Sequence, residues 1–203
     1  MDAGDVVERA DLSSAPTVGL RPLEARDFPE LVEWLNTPHV YRWWGVSSGP
    51  GSLGGPDTDA ATLAQVAEKY RASVDGKDTT HRYVILSDRH PVGMIQWYRL
   101  ADEPGYALAI GESPNGTAGI DLLVGVPGAI GRGIGPRAIS TLVDGVVFAE
   151  ADLHRVIGGP HPDNRASVRA FEKACFAFAR DAMVPDEGPE RVMARDRGDS
   201  TRR

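Results

Sequence analysis

Apolar residues along this chain recur with two different spacings, and the way the spacings alternate outlines the fold. Val18 to Pro22 reads as a first strand. Phe28, Leu31, Val32 and Leu35 then fall at helical spacing, with Asp27 placed to cap, Pro29 and Glu30 in the first turn, and a stop near Asn36 and Pro38. A second helix is predicted over Thr58 to Val74, its stripe formed by Leu63, Val66, Ala67 and Tyr70. Arg82 to Ser87 and Pro91 to Leu100 read as strands joined by the polar turn Asp88, Arg89, His90. Tyr106 to Ile110 reads as a further strand, followed by a Gly/Pro/Asn turn from Gly111 to Gly116 and a strand from Ala118 to Val124. Ile134 to Phe148 has the pattern of a long helix, with Ile139, Leu142, Val143 and Val146 on its apolar side. A short strand at Arg155 to Ile157, a helix over Ala166 to Ala174, and a closing pair at Phe176 to Met183 and Arg191 to Ala194 complete the series. Helices alternating with strands around a mixed sheet predict an α/β sandwich, and no internal repeat interrupts it.

Outside these elements, residues 1–17 are polar, rich in small side chains and without a sustained period, which predicts a flexible tail. A single domain over 18–197 and a short tail at 198–203 follow. Gly49, Pro50, Gly51, Gly54, Gly55 and Pro56 mark the stretch from Val46 to Thr58 as a mobile loop, either a cover for a site or a plain surface excursion.

The length, 203 residues with 41% hydrophobic side chains, is enough for one domain with a substantial core. Acidic residues outnumber basic ones, 29 to 22, and the net charge of -7 argues against a nucleic-acid partner and favours a cationic ligand or ordinary solubility charge. Cys175 is the one cysteine, so there is no internal disulfide, and a reducing cytoplasm is the expected location. No apolar run reaches the length that spans a bilayer, and the first residues, with Asp2, Asp5 and Glu8, lack the shape of a signal peptide. His39 and His161 are lone histidines in polar settings, and no metal site is expected.

The candidate chemistry begins at Ile130-Gly131-Arg132-Gly133-Ile134-Gly135-Pro136, between a strand and the start of the long helix. Glycines let backbone N–H groups approach an anion, and the helix N-terminus adds partial positive charge, so a pyrophosphate is the expected guest. Tight glycine turns also arise for steric reasons alone. A dinucleotide fold would place an acid at the end of the next strand, whereas Asp152 precedes it, and the Gly-Lys-Ser/Thr of a P-loop is absent.

Together with the later run Asn164-Arg165-Ala166-Ser167-Val168-Arg169-Ala170-Phe171-Glu172-Lys173-Ala174-Cys175-Phe176, this loop resembles the paired coenzyme A motifs of GNAT acetyltransferases. The segment Glu33-Trp34-Leu35-Asn36-Thr37-Pro38-His39-Val40, the Trp43-Trp44-Gly45 that follows, Gly119-Ile120-Asp121-Leu122-Leu123 and Pro185-Asp186-Glu187-Gly188-Pro189 resemble the aminoglycoside 6'-N-acetyltransferases within that family, over about Leu20 to Arg197. The resemblance implies a GNAT fold with a mixed, mostly antiparallel sheet flanked by helices, and acetyl-CoA as co-substrate without a metal. It implies coenzyme contacts from Leu123, Val124, Ile130, Gly131, Arg132, Gly133, Ile134, Gly135, Asn164, Arg169 and Phe171. Asp121 is implied as the catalytic base, and Trp44, Tyr70, Gln96, Tyr98 and Asp186 as contacts of a small cationic amine, in a monomer or homodimer. Of the adjacent Trp43 and Trp44, one is expected in the core.

An amine attacks a thioester only when a proton can be taken from it, and a carboxylate in an apolar strand has a pKa raised toward a useful range. Asp121, between Ile120 and Leu122, meets that description, and a structural aspartate bonded to a loop is the plain alternative. A backbone N–H near Leu123 or Val124 would polarise the thioester. The sequence departs from the resemblance in two places. Phe171 stands where the family carries a tyrosine able to protonate the leaving thiolate, and Gly158-Gly159-Pro160 stands where the aminoglycoside enzymes carry an acidic residue, so one substrate-binding carboxylate reads as missing. Asp102, Glu103 and Tyr106 are candidates to compensate. A lysine or hydroxylysine acyltransferase of siderophore assembly, and a non-catalytic acyl-CoA-binding module, are the other readings.

Overall fold

The computed structural model describes residues 15–44 and 60–199, so the glycine-rich loop and most of both tails lie outside the described residues. A seven-stranded sheet runs in the order β1 (Val18–Pro22), β2 (His81–Ser87), β3 (His90–Arg99), β4 (Thr117–Val124), β5 (Arg155–Gly158), β7 (Gly188–Asp196), β6 (Ala177–Val184). Every neighbouring pair is antiparallel except β4 with β5. That exception shapes the molecule. Parallel pairing covers only Thr117↔Arg155, Ala118↔Val156 and Gly119↔Ile157, while β4 runs on to Val124 and pairs along its other side with β3. Beyond Gly119 the sheet therefore parts.

Alternation along the strands distributes side chains between two layers. Val84, Met94 and Leu123 point to one face, where they pack with α1 (Phe28–Leu35), α3 (Leu63–Val74) and Val40 of α2 (Pro38–Trp44). Their neighbours Ile85, Ile95 and Ile120 point to the other, against α5 (Ile134–Gly145) and α6 (Arg165–Lys173). Ile139, Leu142 and Val143 on α5 are fully buried, each stabilising the fold by about 1.5–3 kcal/mol. A smaller cluster joins α4 (Pro104–Ile110) to Ile157, Val184, Val192 and Ala194.

Four elements differ from the sequence expectation. Residues 106–110 are not a strand but the body of α4: Pro104 opens it, Gly111 ends it in the left-handed region, and Ala107 and Ile110 share its buried face while Leu108 is 84% exposed. The alternating Tyr-Ala-Leu-Ala-Ile mimics a strand because alanine scores as apolar, although alanine is the strongest helix former. Pro38 does not merely end a helix; it begins α2. The long helix stops at Gly145, with a 3-10 turn over Val147–Ala149 replacing its last turn, and α3 starts at Leu63, capped by Thr62 and Gln65 in a reciprocal box. The Thr17 N–H donates to Asp88 Oδ1 and the Asp88 N–H donates to the Thr17 carbonyl, so ordered chain precedes β1. No helix among the described residues is long and apolar enough to cross a membrane.

Candidate active site

Three adjacent strands put Arg82, Gln96 and Asp121 in one row. Arg82 on β2 is the register partner of Gln96 on β3, which is the partner of Asp121 on β4. Arg82 Nε donates to Gln96 Oε1 at 3.1 Å, and Gln96 Nε2 donates to Asp121 Oδ2 at 2.9 Å. Asp78 holds the far end of the Arg82 guanidinium, which also lies over the Tyr70 ring. The Gln96 amide is thus oriented from both sides and can only donate toward Asp121. Burial pushes the Asp121 carboxyl above the usual carboxylate range; the Gln96 hydrogen bond and the Arg82 charge pull it back in part.

Around this row lies a cavity of about 220 Å³ lined by Trp44, Lys69, Tyr70, Thr80, Arg82, Gln96, Tyr98, Glu103, Tyr106, Asp121, Glu187 and Glu190. Tyr70 is buried and accepts a hydrogen bond from the Trp44 indole N–H. Four carboxylates face two cations. Desolvation, with Asp121 and Glu103 nearby, raises Glu187 to about 7, and desolvation with Asp121 and Glu187 raises Glu190 to about 8. Burial and the same acids hold the Tyr98 and Tyr106 phenols well above their ordinary value, so both remain protonated. Tyr106 donates to Glu190 Oε2 at 2.8 Å.

Trp44, Tyr70, Gln96, Tyr98 and Asp121, expected from the sequence as acceptor contacts and base, all line this one cavity. Asp186 is a correction: it is exposed, at φ 64° in the β6–β7 turn, and its neighbours Glu187 and Glu190 line the cavity instead. Of the adjacent tryptophans, Trp44 lines the cavity and packs against one core cluster, while Trp43 is partly exposed beside His161 and Arg42. The apparently missing carboxylate at 158–160 has a spatial substitute. A Cβ on Gly159 would stand 2.0 Å from Glu190 Oε2, so Glu190 occupies the room that a side chain there would fill. Asn36, His39 and Trp34, part of the motif that carries the resemblance, are scaffolding. Asn36 exchanges two hydrogen bonds with the Ala61 backbone, His39 Nε2 lies 2.8 Å from the Val124 carbonyl, and Trp34 packs where a Gly125 side chain would be.

On the other side of β4, Gly131 and Gly133 take φ of 77° and 76°, a region that favours glycine, and no atom approaches within 4 Å of a Cβ built on either. Gly133 is the N-cap of the 12-residue α5, so open main chain and the positive end of a helix meet there, as a diphosphate requires. Arg132 and Ile130 are exposed at the rim, Gly135 is half-buried, and Leu123 and Ile134 are buried in the two cores. Val124 ends β4 at the parted edge. Asn164 caps α6 by accepting from the Ser167 N–H at 3.2 Å, which leaves its amide NH₂ without a partner among the described residues, and Arg169 is exposed. Phe171 belongs to the core: its ring packs edge-on against Phe176 and sits where a Gly158 side chain would be, so it shapes the groove from beneath. Among the described residues no group of three or more His, Cys, Asp or Glu side chains is disposed to hold a metal ion.

Residues 24–184 match the family described as acetyltransferase (GNAT) domain. Aminoglycoside N(6')-acetyltransferase type 1 of Klebsiella pneumoniae, and the same enzyme of Serratia marcescens, are each 31% identical over 185 residues, 91% of this chain and 86% of theirs. Among solved structures, AAC(6')-Ib in complex with ribostamycin and coenzyme A superposes with a TM-score of 0.73 at 28% identity, covering 92% of this chain and 98% of that one. The same enzyme with coenzyme A and kanamycin gives 0.69 at 28% identity, over 89% and 95%. A seven-stranded sheet parted beside a glycine-capped helix, a carboxylate at the parting and these relationships agree on one assignment: the chain belongs to the GNAT family of acetyltransferases.

Proposed function

We propose that this acetyltransferase moves the acetyl group of acetyl-CoA onto a primary amine of an aminoglycoside, at its 6'-amino group. The observation that carries the reading is the placement of Asp121, the one carboxylate of the cleft that stands on β4 where the sheet parts, within a cavity dominated by acids. When bound, acetyl-CoA supplies the thioester carbon that the amine attacks. The main chain at 131–135 and the N-terminus of α5 fit its diphosphate, and the parted edge of β4 offers backbone groups to its arm. Asp121 accepts the proton that the acceptor nitrogen sheds as the N–C bond forms and the C–S bond breaks, and its raised pKa suits that work. Gln96, fixed by Arg82, keeps Oδ2 engaged and leaves Oδ1 for the amine. Phe171 has no hydroxyl, so the departing sulfur takes its proton from solvent. Glu103, Glu187 and Glu190 attract a polycation and repel an acceptor that brings its own carboxylate, which disfavours the lysine-type reading. Free-thiol release with acetyl-CoA across a panel of aminoglycosides tests the proposal; the expected result is turnover with those bearing a 6'-amino group, and no turnover with any member overturns it.

A further inference from the structure

Glu190 is the least expected acid of the cleft, only 3% exposed on β7. Its single hydrogen-bond partner among the described residues is the Tyr106 hydroxyl, and no described Lys, Arg or His pairs with it. A carboxylate removed from water without a cation is unfavourable, and the arrangement is understandable where a ligand brings the cation. The chain geometry shows how it arrives there. The Arg191 N–H bonds the Pro160 carbonyl at 2.9 Å, which seats β7 alongside the segment leaving β5 and sets Glu190 beside Gly159. A Cβ at 159 would be 2.0 Å from Glu190 Oε2 and 2.9 Å from the Tyr106 hydroxyl, so only glycine leaves both groups in place.

Resting on the acceptor proposed above, we infer that Glu190, steadied by Tyr106, is a subsite for a second ammonium group of the acceptor, and that Gly159 is the residue that admits it. Asp121 serves the reacting nitrogen, while Glu190 faces the same 220 Å³ cavity from the strand system beyond the parting. One molecule of two or more amines spans the two positions, and a monoamine leaves Glu190 unpaired. Glu190 thus determines specificity rather than chemistry.

Steady-state kinetics with kanamycin as the probe test this. Glu190→Gln keeps the shape and can still accept from Tyr106, and it is expected to raise the KM for kanamycin about tenfold or more, with kcat changed less than about threefold and the KM for acetyl-CoA unmoved. Glu190→Ala and Gly159→Asp should each raise the kanamycin KM, the second because it forces two carboxylates into the space of one. The double variant Gly159→Asp/Glu190→Ala returns one carboxylate to that space and should have a lower KM than either single change. A kanamycin KM within about twofold of wild type in Glu190→Gln, or a double variant no better than Glu190→Ala, overturns the subsite. Melting temperatures separate misfolding from loss of binding. Wild-type protein that is stabilised by acetyl-CoA yet acetylates no aminoglycoside counts instead against the acceptor itself, so the two failures are distinguishable.

Discussion

The two sides of β4 recognise their ligands by different means. Toward α5, the glycine loop uses main chain: its residues are consecutive, 130 to 135, and their conformation is set by two left-handed glycines and a helix start. Toward α3 and α4, the cleft uses side chains drawn from α2, α3, β2, β3, α4, β4 and the β6–β7 region. A site built from main chain is local and tolerates any side chain that leaves the backbone alone. A site built from converging side chains can exchange one contributor for another, as Glu190 does for a side chain at 159.

The largest test of this contrast is Asp121→Asn, expected to lower kcat about a hundred- to ten-thousandfold while the dissociation constant of acetyl-CoA stays within about twofold. Turnover that survives would move the proton acceptor elsewhere in the cleft. Next comes Gly133→Val. A β-branched residue at φ 76° is strained by about 1–2 kcal/mol and its side chain projects into the open side of the loop, so acetyl-CoA should bind about tenfold or more weakly, read by calorimetry. Aminoglycoside binding to the apo protein should be unaffected, and a parallel loss would erase the distinction between the two sides.

The smallest effect is on stability. Glu187 and Glu190 hold protons more tightly in the folded chain, at about 7 and about 8, than in the unfolded one. Their stabilising contribution is therefore complete below about pH 4.5 and is lost as pH rises through 7 to 8. The melting temperature of wild type relative to Glu190→Gln should accordingly fall between pH 5 and about pH 9 in the absence of ligands. A difference that stays flat would mean that Glu190 is already ionised at pH 5.

How much of each side was legible in the sequence follows from the same contrast. The glycine loop, Asp121 on its strand, and the pairing of Gln96 with the cleft are all visible as short motifs. Arg82 was not. Counting outward from the turn at Asp88 and Arg89 pairs it with Ile95, and only the bulge between Ile85 and Leu86 shifts it to Gln96. Nothing local in the sequence distinguishes Glu190 from any acid beside a Pro/Gly turn. Its role arises from β7 pairing with a strand more than thirty residues earlier, next to a glycine whose emptiness reads as a loss. Residues 106–110 imitate a strand for a simpler reason, since alanine is apolar and also the strongest helix former.

Only three residue pairs of backbone ladder tie β1–β4 to β5–β7, so the sheet is two panels sharing a narrow spine. Beneath that spine lies the apolar core, where the Phe171 ring packs against Gly158 at the end of β5. An amino acid with no reactive atom thereby fills the joint between the panels, and trimming its ring would leave a cavity beneath the place where they part.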